Sequence, residues 1–343
     1  MTNPHYDTLV LIGRFQPCHL AHVEIIRRAT TLAKQLIIIV GSANQPRTFT
    51  NPWTSSERIE MLKTVCADLR TDCKIIIEDN VDTIYNNLAW ASRIQRIVAK
   101  HTLPSDYVGI IGHKKDHKTA TYIDMFPHWT HEQVELIEPL HATSIRDLYF
   151  RKDANLHFIQ GVVPTSVYNM LSKWADSPEY VQIMQEREDN VLYKAQYAGL
   201  RYEPIFVTVD AVVVCSGHVL MIKRKSTPGQ GLWAMPGGFM NASTDVSIQS
   251  AMIRELREET GIKIPVPVLI GSIVKKEQFD AIGRSSRGRT ITHAFRIDLP
   301  DGSLPKVRGM DDASRATWIP ISQLDSAVCF EDHYDILQTM LGS

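Results

Sequence analysis

The sequence predicts an α/β chain of two domains, the first built on a doubly wound parallel sheet. Three observations carry this reading. Apolar runs that end in glycine alternate with helical patterns over residues 1–150. A mixed, aperiodic stretch ending at Pro204 then precedes a second set of strands and helices. The length of 343 residues suits two domains of ordinary size, each able to bury its own core.

Taken in order, Thr8 to Ile12 reads as a strand ending at Gly13, followed by a helical pattern from Leu20 to Lys34. Leu36 to Val40 is a second strand, ending at Gly41. Thr54-Ser55-Ser56-Glu57 is a capping box opening a helix with Ile59, Met61, Leu62 and Val65 on its apolar side. Lys74 to Ile77 reads as a strand, Leu88 to Lys100 as a helix, and Tyr107 to Ile111 as a strand ending at Gly112. Val134 to Ile137 supplies a fifth strand. Residues 164–188 read as helical. The expected division is 1–188 for the first domain, 189–204 for a linker and 205–343 for the second domain. There, Ile205 to Val214 is a long strand, and the Cys215-Ser216-Gly217-His218 turn leads into Val219 to Ile222 as a hairpin. A helix follows near 247–260, with strands near 268–276 and 291–298.

Composition excludes several classes. Hydrophobic content of 44% and charged content of 22% are ordinary for a globular protein. A formal net charge of -1 gives no global field toward nucleic acid or membrane, so neither is expected as a partner. No apolar run approaches the length of a membrane span. Cys18, Cys66, Cys73, Cys215 and Cys329 show neither metal spacing nor a paired framework. They read as reduced thiols of a cytoplasmic protein.

Two phosphate-handling patterns stand out. Gly13-Arg14-Phe15-Gln16-Pro17-Cys18-His19-Leu20-Ala21-His22 places two imidazoles three residues apart where a helix begins. Free N–H groups and the positive dipole end attract phosphate there. An isolated His-x-x-His is more often a surface pair. Here glycine permits close backbone approach, arginine offers a phosphate fork and proline stiffens the turn. Downstream, Glu255, Glu258 and Glu259 lie at i, i+3 and i+4 and share one side of a helix. A divalent cation relieves the repulsion among such carboxylates. A solvated acidic face, supported by Arg254 and Arg257, is the plainer alternative.

The first pattern resembles the His-x-x-His nucleotidyltransferase superfamily, and more narrowly the archaeal-type nicotinamide mononucleotide adenylyltransferases. Thr143-Ser144-Ile145-Arg146 matches the family's Thr-x-Ile-Arg motif, and Gly41 to Arg47, Asn51 to Thr54 and Glu57-Arg58 are similar to its loop beyond the second strand. Ala21 departs from the glycine many relatives carry between the histidines. The resemblance implies a Rossmann-like sheet and in-line attack of the mononucleotide phosphate on ATP, giving NAD and pyrophosphate. It implies catalytic roles for Arg14, His19, His22 and Arg146. Gly13, Phe15, Arg47, Asn86, Trp90, Thr143 and Ser144 would bind substrate, with Asn86 on the nicotinamide and Trp90 stacked on its ring.

The second pattern, with Gly231 to Gly238 before it and Thr260-Gly261-Ile262 after it, resembles the Nudix box of an α/β/α sandwich. The interval from Gly238 to Arg254 is two residues longer than the pattern. The isolated glutamate position therefore falls on Thr244 or Val246, with Asp245 the nearest carboxylate. The resemblance implies a metal face of Glu255, Glu258 and Glu259 holding Mg²⁺, or Mn²⁺ in its place, and hydrolysis of ADP-ribose to AMP and ribose 5-phosphate. Arg224, Trp233, Gly237 and Gly238 would bind substrate. The Arg284 to Arg289 loop could meet a diphosphate, and Trp233 and Phe279 are candidate base-stacking rings. Glu277, Asp311, Asp312 and Glu331 are equally eligible as general base.

Together the motifs are similar to bifunctional proteins that fuse the two enzymes, acting on ATP, nicotinamide mononucleotide and ADP-ribose. The altered box leaves an ADP-ribose sensor as the alternative for the second domain. Oligomeric state, including a homo-oligomer, is open at this level, as is the preference between amide and acid mononucleotides.

Overall fold

Tyr6–Gly13 forms β1, an almost wholly buried strand whose two neighbours both run parallel to it. The computed structural model describes residues 5–112, 122–134, 141–153 and 155–342. After β1 come α1 (Leu20–Leu32), β2 (Ala33–Ala43), α2 (Ser55–Ala67), β3 (Lys74–Val81), α3 (Asn87–Ala99), β4 (Val108–Gly112) and β5 (Thr130–Gln133). The order in the sheet is β3-β2-β1-β4-β5, all parallel. Alternation along each strand explains the double winding. Leu9, Leu11, Leu36 and Ile38 pack with Ile26 of α1 and Leu62 of α2, while Val10, Ile37 and Ile39 pack with Ile94 and Val98 of α3. A fully buried isoleucine such as Ile37 or Ile38 contributes roughly 1.5–3 kcal/mol. The strand order reverses between β1 and β4, so the crevice beyond their carboxyl ends, at Gly13 and Gly112, is where such a sheet takes ligands.

The chain divides into two compact units, Met1–Arg187 and Glu188–Ser343. The first is completed by α4 (Ala142–Tyr149), α5 (His157–Gln160) and α6 (Thr165–Trp174). Helix α7 (Pro178–Ala195) begins where Pro178 fits a first helical turn, so the helical stretch expected over 164–188 consists of α6 and the start of α7. It runs on to Ala195, so the first part of the segment read as a linker is helical. The fifth strand is Thr130–Gln133 rather than the run from Val134; residues 135–137 of that expectation lie outside the described residues.

In the second unit β6 (Ile205–Cys215) and β7 (His218–Arg224) form the expected hairpin. Its two-residue turn has Ser216 and Gly217 at φ 45 and 72, the left-handed pair that matches strand twist. There follow β8 (Trp233–Ala234), β9 (Gly237–Phe239), α8 (Ile248–Thr260), α9 (Val266–Gly271), β10 (Ile273–Phe279), β11 (Arg289–Asp298), β12 (Ala313–Pro320) and α10 (His333–Leu341). The mixed sheet runs β10-β11-β6-β7-β12, with β8 on β7 and β9 on β6. Val209, Ala211 and Val213 face Ala251, Met252 and Leu256 of α8. Asp210, on the opposite face, comes within 4.0 Å of His333 of α10. The sheet therefore lies between helices. The strand expected near 268–276 starts only at Ile273, because Pro265 and Pro267 seed the short helix α9 first.

Candidate active sites

In the first unit, β1 delivers Gly13 and Arg14 to the sheet edge. Phe15 turns back at φ 52, and its ring lies where a Cβ on Gly13 would come within 2.9 Å. A side chain there would have to displace the buried Phe15 ring. His19 caps α1 and is buried; His22 follows three residues later. Their rings stack at 3.7 Å, and the His19 N–H donates to His22 Nδ1 over 3.3 Å. The buried Phe15 ring supports His22 at 4.8 Å.

Buried arginines fix this loop. Arg146 of α4 donates to Gln16 O at 2.7 Å and to Thr143 Oγ1 at 3.2 Å, which joins the two motifs seen in the sequence. Burial, and then the neighbouring Arg14, push the Arg146 guanidinium down to about 10. Arg58 of α2 donates to Arg14 O, Gly41 O and Ser42 O, clamping the loops after β1 and β2 together. Burial lowers it to about 10 as well. The Gln16 side chain makes a two-point bond to the backbone of Trp53, at 2.8 and 3.1 Å. Arg14 itself is exposed, so one solvent-facing guanidinium stands beside two buried ones.

At the carboxyl end of β3, Trp90 lines a cavity of about 280 Å³ with Asp82, Thr83, Asn87 and Tyr122. The Trp90 ring is held 6.0 Å from Phe126, so it is both core and cavity wall. Asn86 caps α3 through Oδ1, which accepts from Ala89 N at 2.9 Å.

In the second unit, α8 is capped at Ser247 and stops at Gly261, which adopts φ 59. Its carboxylates differ. Glu259 is 4% exposed and accepts from Gly237 N at 2.8 Å; burial raises its carboxyl to about 8 against that hydrogen bond. Glu255 is raised by burial too. Its carboxylate lies over Gly238, where a Cβ would come within 2.6 Å of Oε1. Glu258 is more exposed, and Arg254 donates to both Glu255 and Glu258, at 2.8 and 2.9 Å. The same arginine grips Asp245 at 2.8 and 3.0 Å. Glu255, Glu258, Glu259 and Arg254 line a cavity of about 660 Å³ with Gly237, Gly238, Arg224, Arg287, Asp311 and Asp312.

The comparisons with known proteins follow this division. A Cytidylyltransferase-like family matches residues 10–116 and a NUDIX domain matches 204–339. The nicotinamide/nicotinic acid mononucleotide adenylyltransferase of Acinetobacter baylyi is 32% identical over 193 residues, 56% of this chain and 95% of that one. The ADP-ribose pyrophosphatase of Methanocaldococcus jannaschii is 31% identical over 132 residues, 38% of this chain and 70% of that one. Across both units, the crystal structure of a bifunctional NMN adenylyltransferase/ADP ribose pyrophosphatase from Francisella tularensis superposes with a TM-score of 0.90. It is 32% identical and covers 98% of each chain; a second structure of it holds AMP and a manganese ion. The chain belongs to this bifunctional adenylyltransferase–Nudix family.

Within the adenylyltransferase unit, Gly13, Arg14, His19, His22, Thr143 and Arg146 are tied into one loop cluster, with Ser144 exposed beside Thr143. Two expected substrate contacts fall elsewhere. Phe15 is buried beneath His22, because its left-handed turn folds the ring inward. Arg47 is engaged by Glu57 in a two-armed ion pair at 2.7 and 2.9 Å and by Pro52 O, so its fork braces the loop. Sequence reasoning passed over Gln16 and Arg58 as anchors. A capping-box helix with an arginine directly after its glutamate was the available signal.

Within the Nudix unit, Glu255, Glu259, Glu258, Arg224, Gly237 and Gly238 share the large cavity. Trp233 does not line it: β8 seats the ring between Lys223 and Arg315, at 5.8 and 6.0 Å. Phe279 is core. Of the arginine-rich loop, Arg287 reaches the cavity, Arg284 is buried against Asp332, and Arg289 turns to Asp280. Asp311 and Asp312 line the cavity, whereas Glu277 pairs with Lys275 on β10 and Glu331 accepts from Ser286 N. Among the described residues no acidic, histidine or cysteine trio is drawn together as a ready cation site; the Arg254 guanidinium stands between Glu255 and Glu258. Tyr193 and Phe239, which the sequence did not single out, supply aromatic wall.

Proposed function

We infer that the chain makes NAD and pyrophosphate from ATP and nicotinamide mononucleotide in its first unit, and splits ADP-ribose into AMP and ribose 5-phosphate in its second. The observation that supports the pairing best is that each motif-bearing loop is rigidly held at a cavity or crevice of its own unit. In the first, His22 Nδ1 accepts the His19 N–H, so the proton sits on Nε2 and can be donated to charge developing on a phosphoryl oxygen. Arg146 and Arg14 add buried and exposed positive charge, and Trp90 offers a ring face for the pyridine. The mononucleotide phosphate is itself the nucleophile, so positioning and electrostatics carry the step.

In the second, Glu255, Glu258 and Glu259 would hold Mg²⁺ or Mn²⁺. The fit is seen in Glu259, a buried carboxyl raised to about 8 that a cation would return to its charged form. When bound, the cation supplies activation of water and screening of the diphosphate. The chain's own part is to orient: Gly237 N fixes Glu259, Gly238 leaves room for Glu255, and Arg224 and Arg287, which line the cavity, would meet the diphosphate. The test is product analysis of the whole chain, with ATP and either the amide or the acid mononucleotide, then with ADP-ribose and each metal. NAD and AMP respectively are expected; absence of either product refutes that half of the reading.

A further inference from the structure

Asn190 is 7% exposed, lines the large cavity of the second unit, and its Nδ2 has no hydrogen-bond partner in the protein. Its other amide atom is fixed: Ser286 Oγ donates to Oδ1 at 3.3 Å. One residue earlier, Asp189 accepts the Thr227 hydroxyl, so α7 is pinned to two loops around the same cavity. A buried amide donor left without a partner is costly, and it stays in place when a ligand satisfies it. Tyr193 follows one helical turn later on the same face and also lines the cavity, as does Phe239. Glu255, Glu258 and Glu259 line the same cavity.

Building on the hydrolase reading, we propose that Asn190 is a specificity-determining residue that donates from Nδ2 to a neutral acceptor on the nucleoside half of the diphosphate. An uncharged donor beside aromatic faces suits a base or ribose oxygen or nitrogen, while Arg224 and Arg287 suit the phosphates. The segment from Asp189 to Tyr193, which reads in sequence as a joint between domains, thereby belongs to the substrate pocket.

The test compares Asn190→Asp with the unaltered chain. The substitution keeps volume and the oxygen that Ser286 bonds, and replaces the donor with a carboxylate. The Michaelis constant for ADP-ribose should rise about tenfold with kcat nearly unchanged, the loss of one well-placed hydrogen bond. Inhibition by AMP should weaken about tenfold and inhibition by ribose 5-phosphate should not change, with the melting temperature held. Unchanged AMP inhibition, or equal weakening for ribose 5-phosphate, overturns the assignment. Asn190→Ala gives the same ordering should the aspartate variant fail to fold. If the unaltered chain releases no AMP from ADP-ribose, the hydrolase reading fails, and direct binding of AMP and ribose 5-phosphate to the two chains still decides the role of Asn190.

Discussion

His22 Nδ1 accepts a hydrogen bond from the His19 backbone, which places the proton of the neutral ring on Nε2. Loss of one preorganised donor to a developing charge costs roughly 10²–10³ in rate. His22→Ala should lower NAD formation by about that factor, measured as kcat/KM, while ADP-ribose hydrolysis is unchanged. Trp90 has a narrower duty. Because it lines the cavity beyond β3 and also leans on Phe126, Trp90→Ala should raise the Michaelis constant for the mononucleotide and spare that for ATP. Equal losses for both substrates, with a lowered melting temperature, would make the ring a packing residue alone. At this scale the sequence was informative where chemistry is tied to spacing, as in His19 and His22 or Thr143 and Arg146. It was silent on which arginines face outward: Arg14, Arg47, Arg58 and Arg146 look alike in a string, and burial decides that Arg14 is open, Arg47 is paired and the other two are backbone clamps.

Two elements of the second unit carry predictions of their own. Strand β9 meets α8 where Gly238 passes under Glu255. In Gly238→Ala the new methyl displaces the end of a flexible side chain, so the melting temperature should change little. The carboxylate moves, however, and a shift near 1 Å at a reacting centre can cost about 10²-fold, which the rate of AMP release reads directly. Helix α10 meets β6 through His333, whose Nδ1 accepts from Met235 N at 3.0 Å. Burial lowers this imidazole from 6.5 to about 3. The folded chain therefore holds His333 neutral, and its contribution is full above pH 6.5 and is lost as pH falls toward 3. Hydrogen exchange of β6 and β11 amides should show that decline, and His333→Gln should flatten it. Strands ending in glycine and the β6–β7 hairpin were legible, since period and turn chemistry act locally. The short helix α9 was not, because an apolar run bounded by prolines suits strand and helix alike. Nor was the reach of α7, since its cavity-facing side mixes Asp189, Asn190 and Tyr193 with a single aliphatic residue, Leu192.

At the scale of the molecule, two units with separate cores carry two phosphate-handling sites, and the large cavity belongs wholly to the second. One chain houses two activities, and each should depend on its own motif. The pairing was legible in the sequence because both motifs resemble those of known families, even though the interval before Arg254 is two residues longer than the second pattern. The cavity walls, assembled from segments as distant as Asn190, Arg224 and Asp312, could only come from the fold. The most direct test assays His22→Ala and Glu259→Gln side by side for both reactions across a Mg²⁺ and Mn²⁺ titration. A crossed result is expected: His22→Ala loses NAD formation and keeps AMP release, while Glu259→Gln keeps NAD formation and loses AMP release at every metal concentration. Loss of both activities in either folded variant, or AMP release by Glu259→Gln at the unaltered rate, would contradict it.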